Sequence, residues 1–104
     1  MSALFVVERE GDTAVIKVVG DLYGKNRWDF HQLIKDNPQL DIAKFVVVDL
    51  EQCSRIDSQG VRELKDSRIS VEKKGKGFRV RGITDNLKSP FEQAELQRLF
   101  TSVE

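Results

Sequence analysis

The alternation of apolar and polar positions divides the chain into a short series of elements. Leu4 to Arg9 is rich in β-forming residues and is followed by the turn pair Gly11-Asp12. Thr13 to Val19 (TAVIKVV) is a second strand, so residues 4–19 predict an antiparallel hairpin closed by Gly20. Asp21-Leu22-Tyr23-Gly24 then reads as a loop. Asn26 is placed to cap a helix, Asp29 lies near its positive start, and Phe30, Leu33 and Ile34 form one apolar face. Asn37-Pro38 stops that helix. Residues 44–50 (KFVVVDL) form the strongest strand, with a β-branched centre that lacks polar alternation. Such a run suits a central strand with helices on both sides or parallel neighbours.

Glu51 to Ile56 reads as a loop leading to Asp57-Ser58-Gln59-Gly60. A helix is expected from there to about Lys74, with Val61, Leu64, Ile69 and Val71 as its thin apolar face and Gly75 and Gly77 as its stop. Gly77 to Gly82 (GFRVRG) is a short strand with Phe78 and Val80 on one side. Ser89-Pro90-Phe91-Glu92 combines a capping box with Pro at the first helical position, and the helix it starts carries Ala94, Leu96, Leu99 and Phe100. The order β-β-α-β-α-β-α predicts an α/β fold in one domain, residues 1–104. Its sheet is mixed and mainly parallel, with about four strands, an N-terminal antiparallel hairpin and about three flanking helices.

Composition narrows the functional classes. The chain has 104 residues, 39% of them hydrophobic and 33% charged. Lys plus Arg is 17 and Asp plus Glu is 17, so no global basic field exists for nucleic acid or an anionic membrane. One cysteine, Cys53, excludes an internal disulfide, and with one histidine, His31, argues against a Cys/His metal site. Apolar runs are a handful of residues long, against the ~20 that span a bilayer. The N-terminus MSALFVVERE lacks the marks of a signal peptide. The expectation is a cytoplasmic domain that does not insert into a membrane and needs no cofactor.

Candidate chemistry centres on Asp57-Ser58-Gln59-Gly60, which follows a buried strand and opens a helix. Interaction sites of open α/β sheets gather beyond the C-terminal ends of such strands. A helix start offers free N–H groups and a positive partial charge. A phosphoryl group on Ser58 would add roughly −1.5 to −2 charges there. The plainer reading is that Asp57 or Ser58 caps the helix, and the two are compatible. Asp49 ends the central strand, where a response-regulator receiver domain carries its phospho-accepting aspartate. A receiver also needs paired acids after its first strand, and Asp21 stands alone. Asp49 is thus expected to close the strand and bond loop amides. Cys53 reads as a filler and His31 as a surface or partly buried side chain. Gly75-Lys76-Gly77 reads as a helix stop rather than a phosphate loop. Lys73, Lys74, Lys76, Arg79 and Arg81, diluted by Glu72, read as a solvated face. No hydrolase or nucleotide-binding motif is present.

The stretch FVVVDLEQCSRIDSQGV (residues 45–61) resembles the signature of the STAS domain, a family that includes the bacterial anti-sigma factor antagonists. Asp49-Leu50, Ile56 and Asp57-Ser58-Gln59-Gly60 occupy the places of the family's hydrophobic strand, loop and Asp-Ser-x-Gly helix start. VIKVVGDLYGKNRWDF resembles the family's strand, Gly-acid-Leu segment and first helix. Gly77 to Gly82 resembles its fourth strand, and AELQRLF its closing segment. The resemblance implies a non-enzymatic switch in which Ser58 is phosphorylated by a serine kinase, often itself the anti-sigma factor, and reset by a phosphatase. Its partner-binding surface would comprise Asp21, Asn26, Asp57, Ser58, Gln59, Gly60 and Arg62. The family also supplies constitutive subunits of bacterial lipid-transport ABC complexes and parts of sensory assemblies. Departures from the pattern are Arg62-Glu63, where members carry small or apolar residues, and Glu95, which replaces a glycine.

Overall fold

A computed structural model describes residues 4–22, 26–87 and 90–99. The hairpin forms as expected. Strand β1 (Leu4–Glu10) pairs antiparallel with β2 (Thr13–Leu22), and Gly11 takes a φ of 63° in the turn between them. Helix α1 (Asn26–Asp36) follows, then a short helix α2 (Pro38–Ile42), β3 (Phe45–Asp49), β4 (Cys53–Ile56), α3 (Ser58–Lys73), β5 (Gly77–Arg81) and α4 (Pro90–Leu99). The sheet runs β1-β2-β3-β5, with β3 parallel to both β2 and β5.

The described residues thus hold five strands and four helices, one more of each than the sequence pattern predicts. The extra helix arises at Asn37-Pro38. The same pair that ends α1 starts α2, because Asn37 Oδ1 accepts a hydrogen bond from the Gln39 amide at 2.9 Å and proline suits the first helical position. The extra strand is β4, in the segment expected as a loop. It pairs parallel with the last residues of β2, Gly20 to Leu22, while the first half of β2 pairs with β3. One long strand therefore serves two partners, and the register shifts between Gly20 and Asp21. Gly20 makes the shift possible with a φ of 107°, and its amide donates to Gln52 O at 3.1 Å.

A single core joins the sheet to the helices. Ala14, Ile16 and Val18 of β2, Val46 and Val48 of β3 and Phe78 and Val80 of β5 meet Phe30 and Ile34 of α1, Leu40 of α2, Val61, Leu64 and Val71 of α3 and Leu96 of α4. Alternate residues of β2, β3 and β5 point the other way, where Lys17, Asp49 and Arg81 share one register row. The central strand is therefore buried by parallel neighbours and by helices that converge on one face.

The apolar face of α3 differs from the expected one. Its buried residues are Gly60, Val61, Glu63, Leu64, Ser67 and Val71, a stripe at helical spacing. Ile69 lies two positions out of phase and is 54% exposed. The polarity of Ser67 and Glu63 hid the true stripe. At the far end the helix stops as expected, with Gly75 at a φ of 80°. Of the loop expected over residues 21–24, Asp21 and Leu22 instead belong to β2, drawn into the sheet by pairing with β4, while Tyr23-Gly24, the cap at Ser89 and the place of Phe100 lie outside the described residues, as do the side chains of Phe91, Glu92 and Leu99.

Phe30 is fully buried and meets Phe5 edge-on, with ring centroids 5.6 Å apart. Truncating it removes a large side chain from the centre of the core. Phe30→Ala is expected to lower stability by about 3–5 kcal/mol in urea denaturation. Ile69→Ala is expected to stay within about 0.5 kcal/mol of wild type.

Candidate functional site

The end of β2, β4 and the first turn of α3 meet at one point, and the Asp-Ser-x-Gly residues divide the work of joining them. Asp57 is the N-cap: its backbone is extended (φ −107°, ψ −178°), and its Oδ1 accepts the Gly60 amide at 2.8 Å. The Asp57 carbonyl oxygen accepts from the Val61 amide at 3.0 Å. Gly60 is buried against the neighbouring strands. A Cβ at this position would collide with the Leu22 carbonyl oxygen at the end of β2 and lie 2.7 Å from Ile56 Cγ1 on β4. Only glycine lets α3 start this close to the sheet. Ser58, the first residue of α3, is exposed, and so are Gln59 and Arg62. The cap is therefore the aspartate, and the serine stands on the surface.

The first turn of α1 lies alongside. Arg27 Nε donates to Gln59 Oε1 at 3.3 Å, tying the start of α1 to the start of α3. Asp21 and Asn26 are buried, with the Asn26 Nδ2 donating to the Asp21 carbonyl oxygen at 2.9 Å. They brace the end of β2 from beneath, while Ser58, Gln59 and Arg62 form the exposed part of the set. Asn26 is the first residue of α1, where the sequence suggested its cap.

Sequence reasoning passed over Trp28. It is 58% exposed on α1, with the Arg27 guanidinium carbon 4.5 Å from its ring centroid and the His31 ring edge-on at 6.1 Å. The available signal was its phase: the chain's single tryptophan sits two positions before Phe30, off the apolar face.

Glu63, at the position where the sequence departs from the family pattern, is only 4% exposed. Its Oε2 lies 3.0 Å from His31 Nδ1 and accepts from Ser67 Oγ at 3.5 Å. The buried carboxylate on α3 thus has its partner on α1. A pocket of about 240 Å³ beside this pair is lined by His31, Ile34, Lys35, Glu63, Asp66, Ser67 and Ser70.

The other candidates resolve into structural roles. Asp49 Oδ1 accepts the Glu51 amide at 2.9 Å, and Oδ2 accepts from Arg81 Nε at 3.1 Å. Gly82, at a φ of 76°, passes so near that a Cβ would lie 2.8 Å from Asp49 Oδ1. The aspartate is a closed corner, as expected. The receiver reading fails on topology as well, because β1 and β2 are antiparallel whereas a receiver's doubly wound sheet is parallel. Cys53 is buried, with Sγ donating to the Arg55 carbonyl oxygen at 3.3 Å. Lys76, part of the basic cluster, donates to the carbonyl oxygens of Asp41 at 2.8 Å and Ala43 at 2.6 Å, closing the end of α2. Among the described residues, no helix is long and apolar enough to cross a membrane, and no three His, Cys, Asp or Glu side chains are grouped to hold a metal.

The hairpin, the parallel strands and the Asp57-to-Gly60 corner together define a known class. The STAS domain family model matches residues 5–104, and the chain belongs to that family. Solved structures share the fold. An anti-sigma factor antagonist from Mycobacterium paratuberculosis is 24% identical with a TM-score of 0.70, covering 94% of this chain and 82% of its own. The anti-sigma factor antagonist SpoIIAA in its unphosphorylated form is 19% identical with a TM-score of 0.68, covering 90% of this chain and 82% of its own. Mglu is 23% identical with a TM-score of 0.67 over 80% of this chain, which spans only 20% of the Mglu chain. No curated protein matches the sequence.

The division of labour at the start of α3 is testable by chemical denaturation. Asp57→Ala removes the cap and is expected to cost about 0.5–2 kcal/mol. Gly60→Ala forces a collision with backbone and is expected to cost about 1–3 kcal/mol. Ser58→Ala is expected to fall within about 0.5 kcal/mol of wild type.

Proposed function

We propose that this protein is a non-enzymatic, phosphorylation-controlled partner switch of the anti-sigma factor antagonist kind, acting in the bacterial cytoplasm. The observation that carries the reading is the exposed Ser58 at the first turn of α3, beside a cap that Asp57 supplies. A phosphoryl group there leaves the helix bonds intact. The helix start favours the added charge by about 0.3–1 kcal/mol, and neighbouring Asp57 opposes it. The fold tolerates the modification, while a partner seated on Ser58, Gln59 and Arg62 meets new charge at its interface. Unpaired charge in an interface costs several kcal/mol, and each ~1.4 kcal/mol is a tenfold loss of affinity. The partner is a serine kinase of the anti-sigma type that binds the unmodified form, and a phosphatase restores it.

A second reading is favoured by the match to Mglu, in which this fold forms only a fifth of a longer chain. Here the domain is a constitutive part of a larger assembly, such as a lipid-transport ABC complex or a sensory complex. Ser58 is then only the first residue of α3.

Affinity capture from the native host with wild type, Ser58→Ala and Ser58→Glu separates the two, with partners and the modification at position 58 identified by mass spectrometry. Partner switching predicts a kinase-like protein held by wild type and Ser58→Ala, lost from Ser58→Glu by tenfold or more, with phosphate on Ser58 of the native protein. The same partner retained equally by all three forms supports the constitutive reading and removes the switch.

A further inference from the structure

We propose that His31 and Glu63 are positioning residues for recognition at Ser58: their bond sets where the start of α1 stands against the start of α3, and the pair serves partner affinity rather than stability. This rests on the reading of Ser58, Gln59 and Arg62 as a docking surface and names what holds that surface in shape. Two side-chain bonds join the helices. Arg27 Nε donates to Gln59 Oε1 at 3.3 Å, and His31 Nδ1 lies 3.0 Å from Glu63 Oε2. Each bond spans 32 positions, and the second is one helical turn beyond the first on both helices. The two helices therefore run in the same direction and in register, with their first residues, Asn26 and Ser58, level. At the next turn Lys35 and Ser67 line a pocket of about 240 Å³ with Ile34, Asp66 and Ser70. The seam is open there, so packing holds α1 against α3 less firmly than a continuous seam does. The approach of the helix starts is left to the two polar bonds above the pocket.

The chemistry of the pair suits place better than stability. Glu63 is 4% exposed, and its carboxylate meets one partly exposed imidazole and the Ser67 hydroxyl at 3.5 Å. An apolar pair of similar volume in such a setting is commonly as stable or more so, because no charge is taken out of water. What an apolar pair lacks is direction. A hydrogen bond holds one distance and one angle between donor and acceptor, whereas apolar faces tolerate sliding and rotation. The Trp28 ring carries this constraint back to the docking surface. The Arg27 guanidinium carbon lies 4.5 Å from its centroid, and the His31 ring meets its edge at 6.1 Å. The two residues that reach across to α3 are thus spaced by one indole, and Arg27 ends on Gln59, next to Ser58. Loss of the His31 bond therefore loosens the Arg27 bond and shifts the side chains that flank the serine.

The test uses the full chain, with His31→Leu and Glu63→Met combined so that apolar side chains of similar volume replace the pair. The melting temperature reports stability, and amide residual dipolar couplings report the direction of α1 relative to α3. The expected result is a melting temperature equal to or above that of wild type, with the couplings of α1 displaced and those of the sheet unchanged. Glu63→Gln keeps an oxygen that accepts from His31 and is expected to keep the wild-type couplings. Affinity is then titrated with the purified partner that wild type captures from the native host. The double variant is expected to bind about tenfold more weakly, and Glu63→Gln to stay within about threefold of wild type. A melting temperature below wild type in this variant and in a second apolar pair, His31→Met with Glu63→Leu, makes the pair a stability element and overturns the proposal. Unchanged couplings overturn it as well. Displaced couplings with unaltered affinity also overturn it, and the Ser58 reading then stands alone if Ser58→Glu still abolishes binding. Weakened binding by the double variant with full binding by Ser58→Glu keeps the positioning role and removes the switch. Capture of no protein by wild type removes the docking surface and, with it, both.

Discussion

The contact between Gly60 and the Leu22 carbonyl oxygen is the constraint on which this molecule's surface is organised. A helix that follows a strand can start at several distances from the sheet. Here the absence of a Cβ at one residue lets α3 start directly against the ends of β2 and β4. That proximity fixes where Ser58 and Gln59 emerge, and it brings the start of α1 within a hydrogen bond of the start of α3. Asp57 secures the arrangement by capping the same glycine's amide. One short segment thus combines a steric requirement, a polar requirement and a position with neither.

The contact would be impossible without the shared use of β2. Its first half is a central strand beside β3, and its last residues carry β4 after a register shift at Gly20. The shift gives the chain two parallel partners for one strand, so the loop after β3 becomes a fifth strand beneath α3. The helices then pack on one face as a single core, and α1 and α3 are joined further out by His31 and Glu63. The buried carboxylate of Glu63 is accounted for by its imidazole partner on α1.

Much of this was legible before the structure. The hairpin, the central strand and α3 follow from β-branched runs, turn residues and helical spacing, and the Asp57-to-Gly60 segment marks the start of α3. What escaped reading depended on contacts made across the fold. β4 has no alternating pattern, since it is a strand only because the end of β2 is free to pair with it. Asn37-Pro38 reads equally as a stop and as a start, and α2 exists because a chain leaving α1 can restart there. Ser67 and Glu63 are polar residues on a buried stripe, made tolerable by each other and by His31. Trp28 was missed for the opposite reason: its place off the apolar face of α1 was legible, but its exposure is seen only in the fold.

The separation of Asp57 from Ser58 has a consequence for the protein in a cell. Marginal loss of stability raises the unfolded fraction that proteases remove, so a residue that both holds the fold and carries information would change a protein's abundance whenever it changed state. Because Asp57 and not the exposed serine caps the helix, the modification proposed at position 58 would leave turnover, and hence copy number, nearly constant. A signal carried there, as proposed, would be read at fixed concentration, as a quality of the molecule rather than as a quantity of it.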